Sequence, residues 1–325
     1  MKPITLYVTR SAIRSGLNNE GIADYLGVPP AQIVIIESLK HVPIRETLKC
    51  GLWINFDQKL DALMISQFRN LAFVATTSTG TNHIDTTMLQ TVGAKLIHLE
   101  KSDRLLHKVT ATADLAVAMI LGATTGLFRD LNKSLYAERI AITREKQVSN
   151  LKVGIVGLGR IGSEVAKRLD FFGSVISYCD PEQNSTLDDY ATKWQKISLL
   201  ELIQTSDVIS LHASYKSGQP PLLGEREFKL INEKQHLINT ARSGLVDKHQ
   251  VLKALLNNKL LTYSTDFPFD HTSGYNIEAS EKVNYLINSG KLFITPHIGG
   301  ASRDAAQTTE KIVMSKILDY YQEVV

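Results

Sequence analysis

Lys152-Val-Gly-Ile-Val-Gly-Leu-Gly-Arg-Ile-Gly162 is the stretch whose reading decides the fold. A short apolar strand runs straight into Gly157-x-Gly159-x-x-Gly162, and a helical pattern follows. In a doubly wound sheet this is where a dinucleotide pyrophosphate sits. Gly157 permits the tight turn, Gly159 lets the phosphates approach the backbone, and Gly162 lets the helix pack close to the strand. The helix then points free N–H groups and its positive dipole end at the anion. A lone fingerprint of this kind is weak. Here a second strand, Ser174-Val-Ile-Ser-Tyr-Cys-Asp180, ends in an acid about 20 residues on, where ribose hydroxyls would lie. Asp180 would accept from both hydroxyls and repel a 2′-phosphate, so NAD is expected rather than NADP. The bland alternative is a glycine-rich strand–helix turn with no ligand. Strand, glycines, helix and acid in the right order argue against it.

Outward from this stretch, β-rich runs alternate with helical patterns on both sides. Before it come Ile4–Thr9, Gln32–Glu37, Leu52–Asn55, Leu71–Thr76 and Ala94–Leu99. After it come Val208–Ala213, His236–Thr240, Leu261–Asp266 and Leu292–Thr295. Such alternation predicts parallel sheets with helices on both faces. No glycine fingerprint follows the first strand, so the first half is not expected to bind a dinucleotide. Residues 103 to about 140 read as one or two long helices, with Leu105, Val109, Ala113, Ala116, Ile120 and Leu127 at helical spacing. Such a helix could cross between domains and face a partner subunit, or be plain core. The polar stretch Asp270–Asn276 predicts a loop, and a last amphipathic helix is expected from about Ser302 to Tyr321.

A length of 325 residues suggests about two domains. A net charge of +3 is too mild to argue for nucleic acid or a membrane surface. The two cysteines, Cys50 and Cys179, are far apart and lack CxxC spacing, so no disulfide framework is indicated and a reducing cytoplasm fits best. Cys179 is expected to pack as a small hydrophobe. The N-terminus has no long apolar run, so no signal peptide is expected. The longest apolar run, Leu115–Ala123, is well short of the roughly 18 residues of a membrane span. No metal-ligand pattern is present in the motifs.

Four further stretches lie at or just past strand ends, where open α/β sheets bind ligands. They are Thr77-Ser-Thr-Gly-Thr-Asn-His-Ile-Asp85, Leu211-His-Ala-Ser214, Leu237-Ile-Asn-Thr-Ala-Arg-Ser-Gly-Leu-Val-Asp247 and Phe293-Ile-Thr-Pro-His-Ile-Gly-Gly300. With these residues the chain resembles the D-isomer-specific 2-hydroxyacid dehydrogenases, and Gly80–Asp85 is most similar to the phosphoglycerate and glyoxylate reductase branch. The resemblance covers nearly the whole chain. It implies an α/β fold of two doubly wound parallel-sheet domains, with a Rossmann NAD-binding domain (103–297) inserted into a flavodoxin-like substrate domain (1–102 plus 298–325). It also implies a homodimer, and a small 2-hydroxy or 2-keto acid as substrate.

The residues make chemical sense in those roles. A 2-hydroxy acid needs its carboxylate held, its hydroxyl proton removed and its C2 hydride aimed at nicotinamide. Arg242 offers a fixed charge and a bidentate fork for the carboxylate. His297, between Pro296 and two glycines, can take and return the hydroxyl proton. A surface arginine and a structural histidine are the bland readings of the same two residues. Ser78, Thr79 and Gly80 would present backbone N–H groups to the substrate carboxylate, or simply form a tight turn. Asn82, His83 and Asp85 read as helix-start residues. The resemblance implies cofactor contacts at Gly157, Gly159, Arg160, Ile161 and Gly162. It implies others at Asp180, His212, Thr240, Ala241, Asp266 and Gly300, with Asp266 meeting the nicotinamide carboxamide. His212 is read as structural or cleft-lining rather than catalytic.

The chain departs from the family at three places. Where Asp-Val-Phe-x-x-Glu-Pro is usual, it has Asp266-Phe-Pro-Phe-Asp-His-Thr272, without the glutamate that pairs with the catalytic histidine. Three readings stand. Asp270 substitutes for the glutamate; His297 works without a carboxylate partner; or the chain binds NAD(H) as a regulatory protein without turnover. Ala213-Ser214 replaces the usual proline after His212. The loop Trp53-Ile-Asn-Phe-Asp57 lacks the arginine that could hold a substrate phosphate, so a phosphorylated substrate is disfavoured. Trp53 and Phe56 are either core or an apolar side-chain pocket.

Overall fold

The computed structural model describes residues 4–43, 49–130, 146–181, 193–216, 218–267 and 277–324. Asp270 and the rest of the expected 270–276 loop lie outside the described residues. The chain divides into two units, Met1–Val109 with Gly300–Val325, and Thr110–Gly299.

The first unit is built on five parallel strands: β1 (Thr5–Thr9), β2 (Ile33–Ile36), β3 (Cys50–Ile54), β4 (Leu71–Thr76) and β5 (Lys95–Ile97). Their order is β2-β1-β3-β4-β5, so the direction of winding reverses between β1 and β3. Every residue of β3 and β4 is buried, which is why these strands read as continuous apolar runs rather than alternating ones. Asp85 caps the helix Thr86–Thr91 by accepting from the Met88 N–H at 2.9 Å, as its place before an apolar run predicts. The last helix, Arg303–Val324, returns to this unit. Tyr320 meets Phe73 edge-on at 5.1 Å, and Lys316 pairs with Glu100 and Asp103 at 2.8 and 3.0 Å.

The second unit has seven parallel strands: β6 (Lys152–Val156), β7 (Val175–Cys179), β8 (Gln195–Lys196), β9 (Val208–Leu211), β10 (His236–Asn239), β11 (Thr262–Thr265) and β12 (Leu292–Ile294). The order β12-β11-β10-β9-β6-β7-β8 places the winding reversal between β6 and β9. The glycine fingerprint therefore opens at the switch point, where open α/β sheets take their ligands. One core layer packs the helix Ala111–Thr124 and the helix Arg160–Phe171 on the sheet through Ala116, Ile120, Val165 and Leu169. The opposite layer gathers Leu202, Leu237, Val251 and Leu255. β8 is too short and polar to be seen from pattern alone.

The reading of residues 103 to about 140 as one or two long helices needs adjustment, and its part beyond residue 130 lies outside the described residues. Residues 104–108 form a 3-10 turn, and the helix proper runs only Ala111–Thr124. Gly126, with φ 75°, closes it in a left-handed conformation before the short helix Leu127–Asp130, so the apolar periodicity across 103–130 spans three pieces. By length and composition Arg104–Thr124 passes as a membrane span. The 14-residue helix inside it is only about 21 Å long, against roughly 30 Å of hydrocarbon, and buries Ala113, Ala116, Met119 and Ile120 in the core. The joins between the two units fall at 109/110 and 299/300. The 104–108 turn packs on the last helix, and Ile298 and Gly299 are tied by hydrogen bonds to Asp266.

Candidate active site

The fingerprint turn is held from both sides. The Gly157 N–H donates to the Cys179 carbonyl at 2.9 Å, and the Leu158 N–H donates to Asp180 Oδ2 at 2.8 Å. One carboxylate oxygen of Asp180 thus fixes the turn that the ribose would meet. Gly157 has φ 91°, and a Cβ there would lie 2.7 Å from the Ala213 nitrogen. A Cβ on Gly162 would lie 2.0 Å from the Gly157 carbonyl oxygen, so the helix can approach only without a side chain. At Gly159 nothing lies within 4 Å of that position. The N–H groups of Gly159 and Ile161 have no acceptor among the described residues. A close turn, an open middle glycine and free N–H groups at a helix start fit a pyrophosphate.

Two buried polar atoms lie at the carboxyl ends of the next two strands of this sheet. His212 Nδ1 and Thr240 Oγ1, just past β9 and β10, have no hydrogen-bond partner among the described residues. His212 Nε2 is 2.8 Å from the Ser210 hydroxyl, and desolvation pushes the imidazole pKa down to about 3. A ring that stays neutral through the physiological range cannot serve as the titrating acid–base group. Arg160 is partly buried, and desolvation lowers its pKa.

Arg242 follows β10 by three residues. Asn239, fully buried, shapes the turn before it: Asn239 Nδ2 donates to the Arg242 carbonyl at 2.9 Å, and Oδ1 accepts from the Ala241 N–H at 3.1 Å. Pattern alone assigns Asn239 no role, although an asparagine folding onto its own backbone two residues on is a known turn device. The Arg242 guanidinium is partly buried and donates to the Ala241 carbonyl at 2.6 Å. Desolvation lowers its pKa, yet guanidinium stays protonated. Among the described residues no carboxylate pairs with it.

His297 is one of two described non-glycine residues with positive φ, at 58°. Its N–H donates to the Thr295 carbonyl at 3.0 Å, and its ring tilts against Phe267 with centroids 4.9 Å apart. Asp266, 1% exposed, holds the turn on the other side. Its Oδ1 accepts from the Thr295 hydroxyl (2.6 Å) and the Ile298 N–H (2.8 Å), and its Oδ2 accepts from the Gly299 N–H (2.7 Å). Gly300 is exposed and lies in the first unit.

The first unit, taken by itself, has loops at the carboxyl ends of its own strands. After β4, the Ser78 hydroxyl donates to the Gly80 carbonyl at 2.7 Å and closes a tight loop. The N–H groups of Ser78, Thr79 and Gly80 have no acceptor among the described residues. Between β1 and β3, Trp53 is fully buried core, while Phe56 lies under Arg14, whose guanidinium is 5.0 Å from the ring centroid. An arginine thus reaches the Trp53–Asp57 loop from the segment after β1, which sequence order hid. Among the described residues no cluster could hold a metal ion.

Residues 117–299, more than half of the chain, match the profile of the D-isomer specific 2-hydroxyacid dehydrogenase NAD binding domain. The chain belongs to this family. It is an NAD-dependent oxidoreductase of that class. A D-specific alpha-keto acid dehydrogenase from Enterococcus faecium is 27% identical over 291 residues, covering 86% of this chain and 85% of that protein. The fold is shared with a D-lactate dehydrogenase from Aquifex aeolicus solved with NAD and lactic acid, at TM-score 0.79 and 24% identity over 98% of this chain and 96% of that one. It is shared equally with a D-2-hydroxyisocaproate dehydrogenase, at TM-score 0.79 and 19% identity over 98% and 97%.

Proposed function

We propose that the chain interconverts a D-2-hydroxy acid and its 2-keto acid, with Arg242 binding the carboxylate and His297 moving the hydroxyl proton. The observation that carries this is Arg242. Its charge is held partly desolvated at a strand's carboxyl end, with no carboxylate partner among the described residues. An anion with two oxygens would satisfy that fork and recover the cost of burial. The fingerprint with Asp180 would hold the NAD pyrophosphate and ribose, and Thr240 and Ala241 would line the way to the nicotinamide. NAD, when bound, supplies the hydride acceptor or donor. His297 then takes the hydroxyl proton in one direction and returns it in the other. Ser78–Gly80, whose N–H groups have no acceptor among the described residues, is proposed as a carboxylate-binding loop in its own right. A homodimer is part of the same proposal, to be read from the molar mass of the full chain in solution.

The test is NADH oxidation against a panel of 2-keto acids, including a dicarboxylate and a phosphorylated member because Arg14 reaches the β3 loop. Turnover on at least one acid, lost in His297→Gln while NADH still binds, is the expected outcome. NADH binding with no turnover on any acid would overturn the enzymatic reading and favour a regulatory NAD(H)-binding protein.

A further inference from the structure

We infer that Asp266 is a positioning residue for proton transfer, holding the strained turn that aims His297, over and above any contact with NAD. The inference rests on His297 being the acid–base group. Asp266 directly follows β11, and its own N–H is anchored on the Asn239 carbonyl at 3.1 Å. From that fixed point both carboxylate oxygens bracket His297. They capture the Thr295 hydroxyl two residues before it and the N–H groups of Ile298 and Gly299 just after it, at 2.6, 2.8 and 2.7 Å. These three hydrogen bonds of the carboxylate all go to this turn, and the residue is 1% exposed.

The clamp has a reason to exist. A histidine with φ 58° sits where an L side chain crowds its own backbone, and such a conformation persists only when its surroundings over-determine it. Pro296 fixes the preceding φ, the Thr295 carbonyl takes the His297 N–H, and Asp266 ties down the two residues after the histidine. The close approach also dictates Gly299, since a Cβ there would stand 2.9 Å from Asp266 Oδ2. Phe267, the next residue, packs tilted against the imidazole at 4.9 Å between centroids. One buried carboxylate therefore sets the backbone of the turn while its neighbour sets the ring. Such an arrangement governs where the imidazole nitrogen points, and a misplacement near 1 Å can cost about a hundredfold in rate.

The experiment compares Thr295→Val, Thr295→Ser, Asp266→Asn and His297→Gln in the full-length protein, measuring NADH affinity by fluorescence titration and steady-state kcat and KM on the best 2-keto acid. Thr295→Val removes one arm of the clamp without introducing charge, and kcat is expected to fall roughly tenfold at unchanged NADH affinity. Thr295→Ser keeps the hydroxyl and should restore kcat to within about twofold. Asp266→Asn turns an N–H group toward a backbone N–H and should lose about a hundredfold in kcat at saturating NADH, whatever its effect on NADH affinity. If Thr295→Val and Asp266→Asn keep kcat but raise the KM for NADH, Asp266 is a cofactor contact only and the inference is overturned. If Asp266→Asn fails to fold, the Thr295 pair still decides, because valine and serine differ chiefly in the arm itself. If His297→Gln keeps full kcat, the acid–base reading fails instead, which separates the two.

Discussion

At the scale of single residues, charge and hydrogen-bonding capacity govern what each substitution should do. Arg242→Lys keeps the charge but loses the fork. With about 2 kcal/mol for a hydrogen bond to a charged group, kcat/KM on the keto acid should fall roughly thirtyfold while NADH affinity holds. Steady-state kinetics with saturating NADH reads this, and an unchanged kcat/KM would remove Arg242 from the carboxylate site. Asp180→Ala should relax the preference for NAD over NADP by roughly tenfold, since a charged acceptor is lost and repulsion of the 2′-phosphate with it. The same variant also frees the Leu158 N–H, so its thermal midpoint should be measured beside its selectivity. The strand-end turns that carry Arg242, His297 and Asp180 were legible in the sequence because glycine and proline punctuate the chain around them, and the roles proposed for the three residues rest on the tests above. The hydrogen bonds of Asn239 and Asp266 to their neighbouring turns were not legible, because both side chains meet backbone groups that only the folded chain brings together.

Among the elements, the glycine turn and its helix Arg160–Phe171 carry the sharpest steric constraint. Gly162→Ala places a methyl group 2.0 Å from the Gly157 carbonyl oxygen, a backbone atom that cannot step aside. Either the helix retreats or the turn opens, at about 1–3 kcal/mol for overpacking. NADH affinity should drop by more than tenfold, and a calorimetric titration that found it unchanged would mean the helix start does not hold the cofactor. Strands of both sheets were readable as apolar runs because parallel strands are covered on both faces. The break between Lys108 and Ala111 was not, since Leu105, Val109 and Ala113 keep an α-helical spacing across a 3-10 turn and the break after it. Periodicity reports which side of the chain is apolar, and a 3-10 turn preserves that side while changing the path.

At the scale of the whole molecule, two buried histidines set an acid limit. Desolvation pushes His212 down to about 3 and His236 to about 4, so both stay neutral in the folded chain where an unfolded chain would take up protons. The stability they preserve is complete above the ordinary histidine pKa near 6.5 and is lost as pH falls from there toward 4. Between pH 7 and 5 each should cost roughly 2 kcal/mol, so urea midpoints should drop across that interval. His236→Asn should flatten the drop, and an unaltered pH dependence would show that His236 is charged when folded. The discontinuous layout adds a matter of timing. Glu310, buried on the last helix, receives the Ser15 N–H at 2.9 Å and the Ser15 hydroxyl across 295 residues of sequence. As the chain leaves the ribosome, the first unit therefore waits for its final helix, while Thr110–Gly299 is contiguous and can close sooner. During synthesis the cofactor-binding half is complete first, and NAD bound to it would hold it folded while the other half still lacks its final helix.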